Sequence, residues 1–219
     1  MRKLFTIIIF TIVILLIGRN LTFVSYYGDN VNNLDPDLNK VLNVSGKFSV
    51  KVSNPGSGAY LGWLNSEKRG VWPPVNFTGI AFDGESTFAR ILIVYGTTSG
   101  GSGSLNTGLT VNDDNAQHNF LLTYDPNYNS GNGAILFWLD SNPVQILNLS
   151  SGHKTQGVNV DRFGLANIEA DGDTMEIYFD DLELNYQEKI VLEQLIEMLQ
   201  NNFNILFAQC PKCGSLNHK

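Results

Sequence analysis

Between residues 45 and 184, apolar side chains recur at every second position in short runs, and Gly, Asn, Pro and Asp separate those runs. In the first run Phe48, Val50 and Val52 share one side, opposite Lys47, Ser49 and Lys51, which predicts a half-buried strand. Asn54-Pro55-Gly56-Ser57-Gly58 reads as a turn, 59–64 as a short strand and 67–74 as a loop ending in Trp72-Pro73-Pro74. Further strands are predicted over 75–83, 89–95, 120–124, 134–140, 144–149, 162–169 and 175–184. The Gly- and Ser-rich stretch 97–108 is expected to be a flexible loop. In the last strand Ile177 and Phe179 point inward, and Leu182 and Leu184 join them only if a bulge shifts the parity at Asp180-Asp181. With no helix-period segment between the strands, the pattern predicts an all-β sandwich.

The two ends of the chain depart from this alternation. Arg2 and Lys3 precede an uncharged apolar run over 4–17, the mark of an export signal. Residues 18–24 extend it toward the roughly 20 residues a bilayer crossing requires, so 1–24 reads either as a cleaved signal peptide or as a retained anchor helix touching the membrane. Residues 25–44 are polar and aperiodic, with Asn30, Asn32, Asn33, Asp35 and Asp37, and are expected to be a spacer before a single domain at 45–186. In the tail 187–219, Leu192, Leu195, Ile196, Leu199 and Phe203 form a helical stripe, which predicts a short amphipathic C-terminal helix that docks or self-associates. Beyond it Cys210-Pro211-Lys212-Cys213 is either a local disulfide or half of a zinc site needing ligands from His218 or a second chain. These features place the protein outside the cytoplasm, secreted or anchored.

Charge narrows the partners. The formal net charge is -7, and between 45 and 186 there are fifteen acids against seven bases, eight of the acids falling within 161–183. Nucleic acid is excluded as a partner on this balance. The acidic rim suits solubility or calcium; no other cofactor is called for. Asn20, Asn43, Asn76 and Asn148 each head an N-glycosylation acceptor pattern, as expected by chance in an Asn-rich chain.

Six short motifs carry a resemblance. Gly58-Ala59-Tyr60-Leu61-Gly62-Trp63, Trp72-Pro73-Pro74, Thr123-Tyr124-Asp125-Pro126, Gly152-His153-Lys154, Asp161-Arg162-Phe163-Gly164-Leu165 and Ile177-Tyr178-Phe179-Asp180-Asp181-Leu182 follow one another in order. Together, over 45–186, they resemble exported bacterial domains of the concanavalin A-like lectin/glucanase superfamily. The resemblance implies a jelly roll of two antiparallel sheets, with sugar bound on the concave face or its rim. It does not imply one activity, because that superfamily holds lectins, glycoside hydrolases and binding modules.

Sugars are held by aromatic faces against their C–H surfaces and by planar polar groups on their hydroxyls. Tyr60, Trp63 and Trp72, near glycine-rich turns, are the expected platform, the alternative being that they pack inside the sandwich. Arg90, a charge within the apolar strand 88–95, needs a ligand or an acidic partner such as Glu85. His153 is a further ligand candidate; His118 and His153 have no triad or zinc partner in sequence. Asp180 and Asp181 are the candidate calcium ligands, with an ion pair as the competing explanation. The carboxylate pairs Asp83/Glu85, Glu169/Asp171 and Asp171/Asp173 have the spacing of a glycosidase pair but occupy turns rather than an apolar strand. The expected function is carbohydrate recognition without catalysis. Its competitors are a glycoside hydrolase or lyase of the same fold, and an adhesion or assembly module that binds protein.

Overall fold

A computed structural model describes residues 26–30, 37–67, 72–167 and 174–187. The chain divides into two compact units, Met1–Tyr186 and Gln187–Lys219. The N-terminal apolar segment 1–24, the amphipathic stripe after Gln187, and Cys210 and Cys213 lie outside the described residues. No helix among the described residues is long and apolar enough to cross a membrane.

Eleven strands are described: β1 (Tyr26–Asn30), β2 (Val41–Ser53), β3 (Gly58–Leu64), β4 (Phe77–Gly84), β5 (Phe88–Gly96), β6 (Ser102–Asn112), β7 (His118–Asp125), β8 (Ala134–Leu139), β9 (Gln145–Asn148), β10 (Arg162–Asn167) and β11 (Met175–Gln187). They form a six-stranded sheet in the order β1-β10-β3-β4-β5-β6 and a five-stranded sheet in the order β11-β2-β7-β8-β9. The meander β3 to β6 lies in one sheet and β7 to β9 in the other, after which β10 and β11 return beside β3 and β2. This is the two-sheet antiparallel jelly-roll sandwich that the sequence and the resemblance predict.

Alternation sorts each strand into a core face and an outer face. Leu42, Val44, Phe48 and Val50 of β2 meet Leu61 and Trp63 of β3, Ile80 and Phe82 of β4, and Ile91 and Ile93 of β5 in the main core. Phe120 and Leu122 of β7 with Ile135 and Phe137 of β8 complete it. The Phe48 and Phe82 rings cross between the sheets edge to face, centroids 5.1 Å apart at 78°, a geometry that contributes about 0.5–1.5 kcal/mol beyond burial.

Three departures from the sequence reading have physical causes. Residues 102–108, expected as flexible loop, belong to β6, which pairs with β5 over most of its length. Leu105, Thr107, Leu109 and Val111 keep the two-residue period through the glycines, and the ladder of hydrogen bonds outweighs the composition. The segment expected as spacer contains β1 and the first residues of β2, because pairing with a neighbouring strand is available at both places. In β11 the anticipated parity shift occurs at Asp181, whose φ of 53° breaks the alternation. As a result Met175, Ile177 and Phe179 before it, and Leu182 and Leu184 after it, all reach the core.

Tyr124 of β7 is sealed in the core, and its hydroxyl donates to the Leu38 carbonyl at 2.9 Å. Burial, reinforced by the charges of Asp125 and Asp37, raises its pKa well above the ordinary tyrosine value. An unfolded tyrosine ionises near pH 10, so above that pH the unfolded chain binds fewer protons than the folded one and stability falls. Below pH 10 this group contributes no pH dependence. Urea midpoints followed by circular dichroism are therefore expected to drop beyond pH 10, and to drop less steeply in Tyr124→Phe; equal slopes would contradict the assignment.

Candidate functional site

The register of the six-stranded sheet lines up four glycines across its outer face: Gly28 of β1, Gly164 of β10, Gly62 of β3 and Gly79 of β4. β3 and β4 approach so closely there that a methyl group on Gly79 would run into the Leu61 carbonyl, and one on Gly62 into that of Thr78. Tyr60 and Phe77 flank this row and lean toward each other, ring centroids 4.7 Å apart. With Leu64, Ala81, Val94 and Ala166 they make a second, smaller apolar cluster on the side away from the main core.

The β3–β4 connection carries Trp72 onto this cluster. Its root is pinned: Asn65 N donates to the Asn76 carbonyl at 3.2 Å, and Ser66 donates its N and Oγ to the Asp161 carboxylate at 2.8 and 2.5 Å. Asn76 is itself buried, and its Oδ1 accepts from Thr98 Oγ1 at 2.7 Å and Asn159 N at 3.0 Å, so this acceptor-pattern asparagine has a packing role. The Trp72 ring lies nearly parallel to Tyr60, 7° apart with centroids at 6.1 Å, and remains 53% exposed. A buried tyrosine thus backs an exposed indole.

Further along the same face Asp83 of β4 is the cross-strand partner of Arg90 of β5. Arg90 Nη2 donates to Asp83 Oδ2 at 2.6 Å and pairs with Glu85 Oε1 at 2.5 Å. All three side chains are more than a third exposed, so the trio adds at most about 1 kcal/mol to stability. Its effect is on orientation and local charge. Sheet spacings put the Arg90 backbone on the order of 12 Å from that of Tyr60, roughly the length of a disaccharide. Exposed Asn106 and Thr110 of β6 add an amide and a hydroxyl to the face.

Of the residues selected from the sequence, Tyr60, Trp72, Arg90 and the carboxylates Asp83 and Glu85 that bind Arg90 come together here, and Trp63, His153, Asp180 and Asp181 do not. Trp63 is fully buried on the opposite side of β3, edge to face with Phe163 at 5.2 Å. The expected three-ring platform is corrected to one exposed ring, Trp72, on a buried one, Tyr60. His153 opens the short helix α1 (His153–Gln156) and is tied to the Tyr95 hydroxyl at 2.9 Å, which also accepts from Ser150 N at 3.2 Å. Lys154 Nζ donates to the Pro126 and Gly131 carbonyls at 2.8 and 3.1 Å. His153 thus acts as a strut between loops and does not join the face that carries Trp72.

Asp180 and Asp181 are likewise engaged within the protein. Lys47 Nζ donates to Asp181 Oδ2 at 2.7 Å, and Asp180 Oδ1 accepts from Asp181 N at 2.9 Å. The hydrogen bond and the charge of Asp181 raise the Lys47 pKa above that of a free lysine. Among the described residues no group of three or more His, Cys, Asp or Glu is arranged for a metal, and Asp181 is engaged in an ion pair with Lys47. His118 Nδ1 lies 2.7 Å from Asp140 Oδ2, with its ring against Phe48. Glu169, Asp171 and Asp173 lie outside the described residues.

One surface escaped the sequence reading. On the outer face of the five-stranded sheet Leu121 of β7 is opposite Trp138 of β8, and Thr123, Leu136 and Ile146 form the adjoining row. Leu121 is 42% exposed and Val144, just before β9, 48%. The signal was present in the alternation of Ala134-Ile135-Leu136-Phe137-Trp138-Leu139, which turns Trp138 away from Ile135 and Phe137.

Fold and face together define a jelly-roll sandwich with an aromatic platform on one outer sheet. The sequence matches no family model and no curated protein. Among solved structures it is similar to an alginate lyase from Pseudomonas aeruginosa, at 10% identity and a TM-score of 0.48 over 68% of this chain and 66% of that one. It is also similar to a PL7 alginate lyase from Zobellia galactanivorans (14%, TM-score 0.42, 68% of this chain and 62% of that one). A third is the Emp47p carbohydrate recognition domain (9%, TM-score 0.42, 74% and 76%). The chain thus spans slightly less than two thirds of either lyase, and the fold assignment rests on the two sheets themselves.

Because Gly79 lets two strands close up beneath the rings, Gly79→Ala is expected to cost about 1–3 kcal/mol. Urea unfolding checks this, and a loss within the error of wild type would show that the strands part without strain.

Proposed function

We propose that this chain is a non-catalytic carbohydrate-binding module of an exported or membrane-tethered protein. The observation that carries the reading is Trp72: an indole more than half exposed, held parallel to Tyr60, on a sheet face that also presents Arg90, Asp83, Asn106 and Thr110. A sugar ring stacks its C–H face on such an indole, and the neighbouring amide, hydroxyl and carboxylate groups bond its hydroxyls. Export is supported by Arg2, Lys3 and the apolar run 4–17.

A hydrolase or lyase of the same fold has weaker support. A glycosidase acid works from an apolar pocket, whereas Asp83 and Glu85 are half-exposed and bound to the same guanidinium nitrogen. In affinity electrophoresis against soluble polysaccharides, Trp72→Ala is expected to weaken retention at least about tenfold, on the order of 1.4 kcal/mol, with the fold retained by circular dichroism. Undiminished retention in Trp72→Ala would remove the platform from the reading.

The assembly-module reading is favoured by one observation, the apolar rows around Leu121, Trp138 and Val144 on the other sheet. Leu121 and Val144 are exposed and the rows between them half-buried, and apolar surface left open in this way is the kind that protein contacts cover. If they do so here, Leu121→Asp lowers the solution mass of the native protein measured by light scattering; a monomer in both forms would speak against self-assembly through this face.

A further inference from the structure

The charge arrangement at Arg90 bears on which sugars the proposed site accepts, and the inference rests on the carbohydrate-binding reading. We infer that the face beneath Trp72 selects neutral glycan chains over polyuronates, and that Asp83 and Glu85 are the residues that set this preference by occupying Arg90.

A uronate carboxylate is recognised by a guanidinium or ammonium group free to bond it, in the best case through two parallel hydrogen bonds. Arg90 is placed to be such a group, on the same outer face as Trp72 and about two sugar rings from Tyr60. Its Nη2, however, already serves two carboxylates, Asp83 at 2.6 Å and Glu85 at 2.5 Å. One positive and two negative charges leave the trio negative, on a chain whose formal charge is -7. Arg162, the other described cation on this face, lies 4.0 Å from Asp161. An incoming carboxylate would meet repulsion, and a two-bond contact, which on either edge of a guanidinium uses Nη2, would have to displace a partner already in place. A neutral sugar meets neither obstacle, and its hydroxyls can donate to the outer lone pairs of Asp83 and Glu85. Specificity here comes from an element set against the wrong ligand as much as from attraction to the right one.

The test uses the full chain in affinity electrophoresis and calorimetry with a neutral β-glucan, a xylan, alginate and polygalacturonate. The unmodified protein is expected to be retained by at least one neutral polymer and by neither polyuronate. The double variant Asp83→Asn with Glu85→Gln, at exposed positions that leave the fold intact, is expected to gain polyuronate binding of roughly tenfold or more. That gain should fall as salt is raised and should vanish when Arg90→Gln is added. Polyuronate retention by the unmodified chain, or a double variant that gains none, overturns the inference while leaving a sugar-binding site in place. Absence of retention by every polymer, in all forms, overturns the carbohydrate reading itself and the selectivity with it.

Discussion

Four glycines in one row, Gly28, Gly164, Gly62 and Gly79, set the shape of the outer face of the six-stranded sheet. Where side chains are missing the strands can close together, and the rings of Tyr60 and Phe77 can lean over the gap instead of standing upright in solvent. Tyr60, buried by this arrangement, becomes a floor on which Trp72 rests nearly parallel. The exposed indole is thus supported from below by packing and from its loop by hydrogen bonds through Ser66, Asp161 and Asn76. A side chain fixed in this way loses little further freedom when it binds, which is the condition for useful affinity from a single stacking contact.

The polar groups fall into two kinds. Some are consumed in holding connections: Tyr95 with His153, Gln156 with Thr97 and Gly101, Lys154 with the β7–β8 connection, Lys47 with Asp181. The first three satisfy part-buried groups that would otherwise cost free energy on losing water, whereas Lys47–Asp181 is a surface pair. The others, Asp83, Glu85, Arg90, Asn106 and Thr110, remain within reach of solvent on the face that carries Trp72. This second group shares the face with Trp72, and its internal ion pairs decide what charge a ligand there encounters.

Much of the fold was legible in residue order because alternation is a local property. The strand positions, the core face of most strands and the parity break at Asp181 all follow from a period of two and from the need to bury Leu182 and Leu184. The same rule, applied without regard to composition, finds β6 in Leu105, Thr107, Leu109 and Val111, and finds Trp138 pointing outward from β8. Composition misled where Gly and Ser were taken as marks of a loop, since cross-strand pairing compensates for poor strand formers once a neighbour is present.

The sequence by itself determined which residues are apolar, how they alternate and therefore that two half-buried sheets must pack against each other. It also determined that Tyr60 and Trp63, three positions apart along one strand, occupy opposite faces. Which face is core was decided only by the tertiary structure, because the second sheet covers Trp63 while a loop covers Tyr60. The same is true of His153 and Asp181, whereas the Arg90–Glu85 pair, five positions apart, was legible in the sequence. The partners of His153 and Asp181 are 58 and 134 positions away in the chain, and no local pattern specifies a contact made by strand pairing and loop closure across such distances.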